Sequence, residues 1–194
     1  MKKDIILAGV GGQGILSIAA TIGTAAVNLA LFIKQAETHG MSQRGGDVQS
    51  HFRFSDQPIA SDLIPLGQAD LILSVEPMES LRYLPYLAND GWLITNTKPF
   101  INIPNYPDET LLIAEIKKIK NHIAIDAVEI AKELGNPKAA NIVMLGAASE
   151  FIGIKFSELE KAIATIFARK GEEIITANLK ALKAGREYAD NYQK

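Results

Sequence analysis

Ile5-Ile6-Leu7-Ala8-Gly9-Val10-Gly11-Gly12-Gln13-Gly14-Ile15-Leu16-Ser17-Ile18 is the stretch on which the fold turns. A short apolar run leads into four glycines within six residues, and then into an apolar helix expected over residues 15–31. Strand, glycine turn and helix in that order open a nucleotide-binding α/β unit. The turn is tight, the helix packs close to the strand, and a side chain at the turn would hold a phosphate away from the N–H groups at the positive helix end. Gly9, Gly11 and Gly14 satisfy G-x-G-x-x-G, with Gly12 and Gln13 among the variable places. The same glycines would also serve helix–sheet packing alone, because a fold does not by itself fix a ligand.

Working outward, residues 31–36 read as a second strand. Glu37 ends it, 23 residues after Gly14, near where an NAD-binding fold places its ribose-binding acid. The next stretch, Thr38-His39-Gly40-Met41-Ser42-Gln43-Arg44-Gly45-Gly46-Asp47, is an irregular loop with three glycines and one arginine, and long irregular stretches often carry function. Residues 48–55 then alternate. Val48, Ser50, Phe52 and Phe54 share one face, while Gln49, His51, Arg53 and Ser55 share the other. The polar face is expected either in solvent or lining a pocket or subunit contact beside the loop.

At 194 residues the chain suits one domain with a sizeable core, spanning 1–194. An apolar fraction of 47% and a charged fraction of 22% are those of an ordinary globular protein. A net charge of −2 offers no global field to attract nucleic acid. The absence of cysteine removes disulfides, thiolate zinc sites, a cysteine nucleophile and thiolate-ligated iron–sulfur clusters from this chain. Met1-Lys2-Lys3-Asp4 runs straight into a strand rather than a signal peptide, and no apolar run reaches the length of a bilayer span. A soluble, cytoplasmic protein is expected, with neither membrane nor nucleic acid as partner.

Further along, residues 69–75 read as a central strand, and Glu76-Pro77 opens a helix that carries Met78, Leu81, Leu84 and Leu87. Asp90-Gly91 reads as a turn into a strand at 92–96, and the proline-bearing stretch 97–107 as an irregular excursion. A helix over 109–119 and a short strand at 122–125 follow. Asp126 with Glu129 forms a capping box on a helix that Gly135 ends, and Ser157 with Glu160 repeats the capping pattern. Between them, 139–151 is apolar almost all round, with Gly146, Ala147 and Ala148 permitting close approach. A last helix over 171–188 turns Ile175, Leu179 and Leu182 inward. The expected fold class is α/β and Rossmann-like: a mostly parallel sheet flanked by helices, with a helical C-terminal tail.

His39, His51 and His122 lack the short spacing of a metal pair, and Ser17 and Ser42 lack a G-x-S-x-G elbow. Lys117, Lys118 and Lys120, balanced by Glu115, read as a solvated face. The glycine turn and the 38–47 loop remain. They follow the first and second strands, so in a parallel sheet both lie at the carboxyl edge, where such folds bind ligands. Arg44 is the strong anion partner there, with a fork suited to phosphate or carboxylate. The residues by themselves leave open a stand-alone NAD-dependent oxidoreductase with Glu37 on the ribose, and a nucleotide-binding interaction module.

Gly9-Val10-Gly11-Gly12-Gln13-Gly14, His39-Gly40-Met41-Ser42-Gln43-Arg44-Gly45-Gly46, and Glu133-Leu134-Gly135 followed by Asn141-Ile142-Val143-Met144-Leu145-Gly146-Ala147 stand in a telling order. It resembles that of the gamma-type domain of the 2-oxoacid:ferredoxin oxidoreductases, over nearly the whole chain. The loop is most similar to that of the small (beta) subunit of the indolepyruvate type. The resemblance implies one subunit of an enzyme, inactive alone, that oxidatively decarboxylates a 2-oxoacid, transfers the acyl group to coenzyme A and delivers electrons to ferredoxin. It further implies that thiamine diphosphate and the iron–sulfur clusters reside on a separate large subunit, while coenzyme A binds at a shared site. Carried onto this chain, Gly11, Gly12, Gln13 and Gly14 with Ser42, Gln43, Arg44, Gly45 and Gly46 form its wall of that site, with no catalytic or metal-ligating residue.

Overall fold

The computed structural model describes residues 1–40, 45–101 and 103–192. Among these, six strands make one sheet: β1 (Lys2–Val10), β2 (Phe32–His39), β3 (Asp47–Ser55), β4 (Ala69–Ser74), β5 (Leu87–Asn96) and β6 (His122–Ile125). Their order is β2-β3-β1-β4-β5-β6. β1, β4, β5 and β6 run parallel, and β3 is antiparallel to both of its neighbours. β2 therefore points the same way as β1, and the sheet is mostly parallel with one opposed strand. The hairpin from β2 to β3 places β3 between β2 and β1, whereas a simple βαβ unit sets its two strands side by side.

The apolar run in β1 is continuous because both faces of the sheet are covered. Ile5 and Leu7 point into the larger core with Phe52, Phe54, Leu71 and Leu73, under helices α1 (Ile15–Asn28), α5 (Ala140–Ile152), α6 (Phe156–Phe167) and α7 (Glu172–Tyr192). Ile6 and Ala8 point into a smaller core with Ile64, Ile72, Tyr83 and Leu93, beside α2 (Pro77–Arg82) and α3 (Glu109–Ile116). Helix α4 (Ala127–Glu133) follows β6 and contributes Ala127 and Ala131 to the larger core. Each fully buried Ile, Leu or Phe is worth about 1.5–3 kcal/mol.

The chain ends in the expected C-terminal helix, which packs into the fold. It lies backbone-on-backbone against α5, and two glycines set the approach: a Cβ on Gly146 would stand 2.0 Å from the Leu182 carbonyl oxygen, and one on Gly185 1.9 Å from that of Val143. The expectation of close approach at Gly146 thus holds, with α7 as the neighbour.

The polar face of β3 lies neither in solvent nor at an open surface. His51, Arg53 and Ser55 are buried. Arg53 forms a two-pronged pair with its cross-strand partner Asp4, at 2.6 and 3.0 Å, and donates to the carbonyls of Ser61 and Leu63 at 2.9 Å each. His51 Nδ1 accepts from the Ile64 N–H at 3.0 Å. Residues 56–68 are therefore folded down over this face and held by it.

Several boundaries differ from the expected ones for identifiable reasons. The helix from Pro77 stops at Arg82 because Pro85 cannot continue it, and a 3₁₀ turn at Leu84–Tyr86 carries the chain into β5. Asp90-Gly91 lies within β5, whose pairing with β4 shifts register between Ala69 and Leu71. α6 begins at Phe156 with Lys155 as N-cap and no side-chain cap, so Ser157 sits inside the helix. Asp126 does cap α4, accepting from the Glu129 N–H at 2.9 Å.

Candidate functional site

The site is built on the turn after β1. Gly12 and Gly14 have φ of +99° and +81°, the left-handed region that favours glycine. Gly14 is the N-cap of α1 and supplies no side chain, so its carbonyl takes the first helical bonds, from Ser17 and Ile18. The N–H groups of Gly12, Gly14, Ile15 and Leu16 make no hydrogen bond to another described residue. They are the unsatisfied donors at the positive end of a helix of 14 residues, which holds no charged side chain of its own.

Two side-chain amides lace the carboxyl edge. Gln13 folds back so that Oε1 accepts from Val10 N–H at 2.8 Å while Nε2 donates to the Val75 carbonyl at 3.4 Å, joining the ends of β1 and β4. Asn96 donates to the same Val75 carbonyl at 3.3 Å, and its Oδ1 accepts from Ala127 N–H at 3.1 Å, extending the lacing to β5 and α4. The crevice between β1 and β4 is where the chain's winding reverses direction, the place where open α/β sheets receive ligands.

The three motifs singled out in the sequence meet here. Gly11 N–H donates to the Gly46 carbonyl at 2.8 Å, which fastens the far limb of the 38–47 loop to the glycine turn. Asn141 Nδ2 donates to the Gly14 carbonyl at 3.0 Å, which brings the start of α5 to the same point. Ser42, Gln43 and Arg44 lie outside the described residues. Asn141 was quoted in the sequence only as part of a motif, and its direct bond to the turn makes it a member of the site.

Among the described residues, three clefts share the exposed Gly12. One of about 310 Å³ runs over Gly14 and Ser17 between Lys138, Asn141, Lys170 and Asn178. A second, about 490 Å³, lies toward Val75, Asn96, Val128 and Met144, with Lys138 again at its side. A third, about 320 Å³, lies on the loop side, between Ile15, Leu16, His39 and Val48. Lys138 and Lys170 line these clefts and so put two cations beside the turn. Sequence reasoning missed both. Lys138 could have been found from its place just ahead of the Asn141 motif, but nothing local marks Lys170.

On the other face of the sheet, at the same edge, a carboxylate clasp holds the excursion after β5. Glu76, fully buried, accepts from the N–H groups of Glu79 (2.9 Å) and Phe100 (3.2 Å) and from the Tyr106 hydroxyl. Burial and the neighbouring Glu76 carboxylate push the Tyr106 hydroxyl far up, so it remains a donor. Burial also raises Glu79, against the opposing pull of Arg82 at 2.8 Å. Asp47, at the start of β3, accepts from the Tyr83 hydroxyl at 3.2 Å and ties the loop's base to this clasp.

Each histidine has a partner in its own surroundings. His39 pairs with Glu37, His51 is buried under Ile64, and His122 contacts the Ile119 carbonyl and the Tyr192 hydroxyl. Among the described residues no group of three His, Asp or Glu side chains could hold a metal ion. Glu37, the acid that an NAD reading requires, sits on β2, with β3 standing between it and β1.

Comparison with known proteins follows the same lines. The model of the pyruvate ferredoxin/flavodoxin oxidoreductase family matches residues 4–188. The indolepyruvate oxidoreductase subunit IorB of Archaeoglobus fulgidus is 37% identical, over 97% of this chain and 96% of its own. The solved gamma subunit of a keto/oxoacid ferredoxin oxidoreductase from Geobacter sulfurreducens superposes with a TM-score of 0.72 at 26% identity, over 97% of this chain and 99% of that one. A 2-oxoglutarate:ferredoxin oxidoreductase from Magnetococcus marinus, solved with 2-oxoglutarate, coenzyme A and succinyl-CoA bound, shares the fold with a TM-score of 0.77 at 23% identity. The match covers 98% of this chain and spans only 31% of that longer one.

Proposed function

This chain belongs to the pyruvate ferredoxin/flavodoxin oxidoreductase family, and on that premise we propose that it is the small, cluster-free subunit of a cytoplasmic 2-oxoacid:ferredoxin oxidoreductase of the indolepyruvate type. The assembled enzyme oxidatively decarboxylates an aryl pyruvate, releases carbon dioxide, delivers the acyl group to coenzyme A and passes the electrons to ferredoxin. Thiamine diphosphate and the iron–sulfur clusters belong to the larger subunit, in keeping with the absence of cysteine here. The observation that carries the reading is the convergence of three separated motifs on one helix terminus, through the Gly11–Gly46 and Asn141–Gly14 hydrogen bonds.

In this reading the chain performs no bond chemistry. The free N–H groups of the glycine turn offer fixed donors to an anionic part of coenzyme A at no cost in reorganisation. Gln13 and Asn96 hold the strand ends so that those donors keep their aim. Gly45, Gly46 and the adjoining Ser42, Gln43 and Arg44 form the loop-side wall, with Arg44 as a bidentate partner for phosphate or carboxylate. Coenzyme A fits the residues present, since the glycine turn and the polar side chains of the first cleft offer donors and, among the described residues, no carboxylate. A stand-alone NAD-dependent enzyme is disfavoured, because β3 separates Glu37 from the glycine turn.

Co-production of the chain with the larger subunit of its source tests the proposal. Indolepyruvate-dependent ferredoxin reduction that requires coenzyme A is expected from the pair and from neither alone. A larger subunit that turns over equally well without this chain, or a free chain that oxidises substrate with NAD, would overturn it.

A further inference from the structure

We infer that the exposed face of α1, with the groove between it and β2, is the surface on which the larger subunit docks. This rests on the reading above in one respect, that a larger subunit is present. The absence of charge marks the face. Residues 5–33 contain no charged side chain, and α1 lies wholly within them. A surface helix ordinarily turns its charged residues to solvent. The neighbouring helices do so: α6 carries Glu158 and Lys161, and α7 carries Lys183, Arg186, Glu187 and Asp190. α1 instead shows Leu16, 56% exposed, and Val27, 64% exposed, with Ala20 and Thr24 between them on the same stripe. Leu29 and Phe32, on the way into β2, are exposed as well. Beside the stripe runs a groove of about 360 Å³, lined by Ala20, Gly23 and Val27 of α1 and by Ile33 of β2, with the Phe52 ring among its walls. β2 is an open edge of the sheet, paired with β3 in unbroken register over its length, with no proline, no bulge and no described strand beyond it. Its Lys34 is paired with Asp62 and its Glu37 with His39. An edge this regular is the kind that working proteins keep covered.

Area and charge select the larger subunit over a second copy of this chain. The 14 residues of α1 give a strip about 21 Å long and about 10 Å wide. With the edge of β2 the face comes to a few hundred Å², short of the roughly 800 Å² per partner that a stable interface needs. The missing area lies next to the stripe. Leu16 also walls the loop-side cleft with His39 and Val48, so the face runs on into the wall assigned above to the shared site. A partner that reaches that wall covers α1 as it does so. A second copy gains less. Two β2 edges that pair antiparallel about a twofold axis set opposite one another only residues an even number of positions apart. Lys34 and Glu37 are three apart, so the symmetric pair wins no cross-strand ion pair, and Ile33 can find itself facing Glu37.

The test puts charge on the face: Ala20→Glu and Val27→Glu in the full chain, with Lys183→Glu on α7 as the control, each titrated against the larger subunit by calorimetry. All three positions are exposed, so the variants are expected to fold, and thermal unfolding of each free chain checks it. Each glutamate should weaken binding about a hundredfold, because an unpaired carboxylate would be shut into an apolar contact. Lys183→Glu should bind as the wild type does, and the free chain should size as a monomer. Wild-type affinity in both glutamate variants would overturn the inference while the function reading stood. A free chain that sizes as a dimer, and that Val27→Glu splits without weakening the complex, would give the face to a second copy and overturn it as well. A wild-type chain that fails to bind the larger subunit would overturn both.

Discussion

Alanine at Gly12 and at Gly14 separates what the glycine turn owes to its backbone from what it owes to its neighbours. Both residues have positive φ, so either alanine costs about 1–2 kcal/mol for a side chain in the left-handed region. Around Gly12 the space is open, with nothing within 4 Å of an added Cβ. At Gly14 the Cβ would stand 2.6 Å from Asn141 Nδ2 and 3.0 Å from its Cγ, so Asn141 must swing away and lose its bond to the Gly14 carbonyl. A lost hydrogen bond adds about 1 kcal/mol, and more if the carbonyl stays buried and unpaired. Gly14→Ala should therefore cost about 3 kcal/mol against about 1.5 for Gly12→Ala. At roughly 3 °C per kcal/mol for a chain of this size, Tm should fall by about 9 °C and about 4–5 °C respectively. Thermal unfolding of the two variants, repeated in an Asn141→Ala background, reads the difference. Removing Asn141 should bring the cost of Gly14→Ala down to that of Gly12→Ala. Equal costs in the wild-type background, or a Gly14→Ala cost that Asn141→Ala leaves unchanged, would refute the claim that Asn141 is fastened to this turn.

Gly146→Ala drives a methyl into the Leu182 carbonyl, where backbone cannot yield as a side chain can. A loss of about 3 kcal/mol or more in denaturant unfolding is expected, and under 1 would show that α5 and α7 are not in backbone contact. Arg53→Met strands the buried Asp4 carboxylate, with the exposed Lys2 at 3.0 Å as its remaining ion-pair partner among the described residues, and removes the Arg53 bonds to the carbonyls of Ser61 and Leu63. It should cost about 3–5 kcal/mol and open residues 56–68 to proteolysis, while the Asp4→Asn, Arg53→Met double variant recovers part of the loss. Burial first, then the Arg53 charge, hold the His51 pKa below its ordinary 6.5. Its stabilising effect is thus full above the unfolded-state value and is lost as pH falls toward the lower folded value, so Tm should drop on going from pH 7.5 to 5. A His51→Gln variant should show a shallower drop, and an identical slope would remove His51 as its source.

The parts of the fold legible in the sequence were those fixed by local chemistry. Glycines around residue 12, an uncharged apolar helix after them, and small residues at 146–148 each admit few arrangements, and the structure uses the expected one. What escaped was set by distant chain. Alternation in β3 marks a polar face but does not say what covers it, and the cover comes from 56–68 through contacts with Arg53 and His51. The antiparallel insertion of β3 beside β1 has no local signature, and with it went the inference from the spacing of Glu37. The early end of α2 was readable from Pro85. At the candidate site, the meeting of the glycine turn with Gly46 was legible because backbone freedom leaves a mark in sequence. Lys138, Lys170 and Asn178 were not, because they reach the turn only through the packing of α5, α6 and α7.

Hydrogen exchange on the assembled complex, with and without coenzyme A, most directly tests whether this chain forms one wall of the carrier's site. The free N–H groups at Gly12, Gly14, Ile15 and Leu16 should exchange readily without the carrier and slow markedly when it is saturating, together with the peptide that carries Gly45 and Gly46. Unchanged exchange across residues 10–17 in a complex whose turnover saturates with coenzyme A would contradict it, since the carrier would then bind without touching the turn.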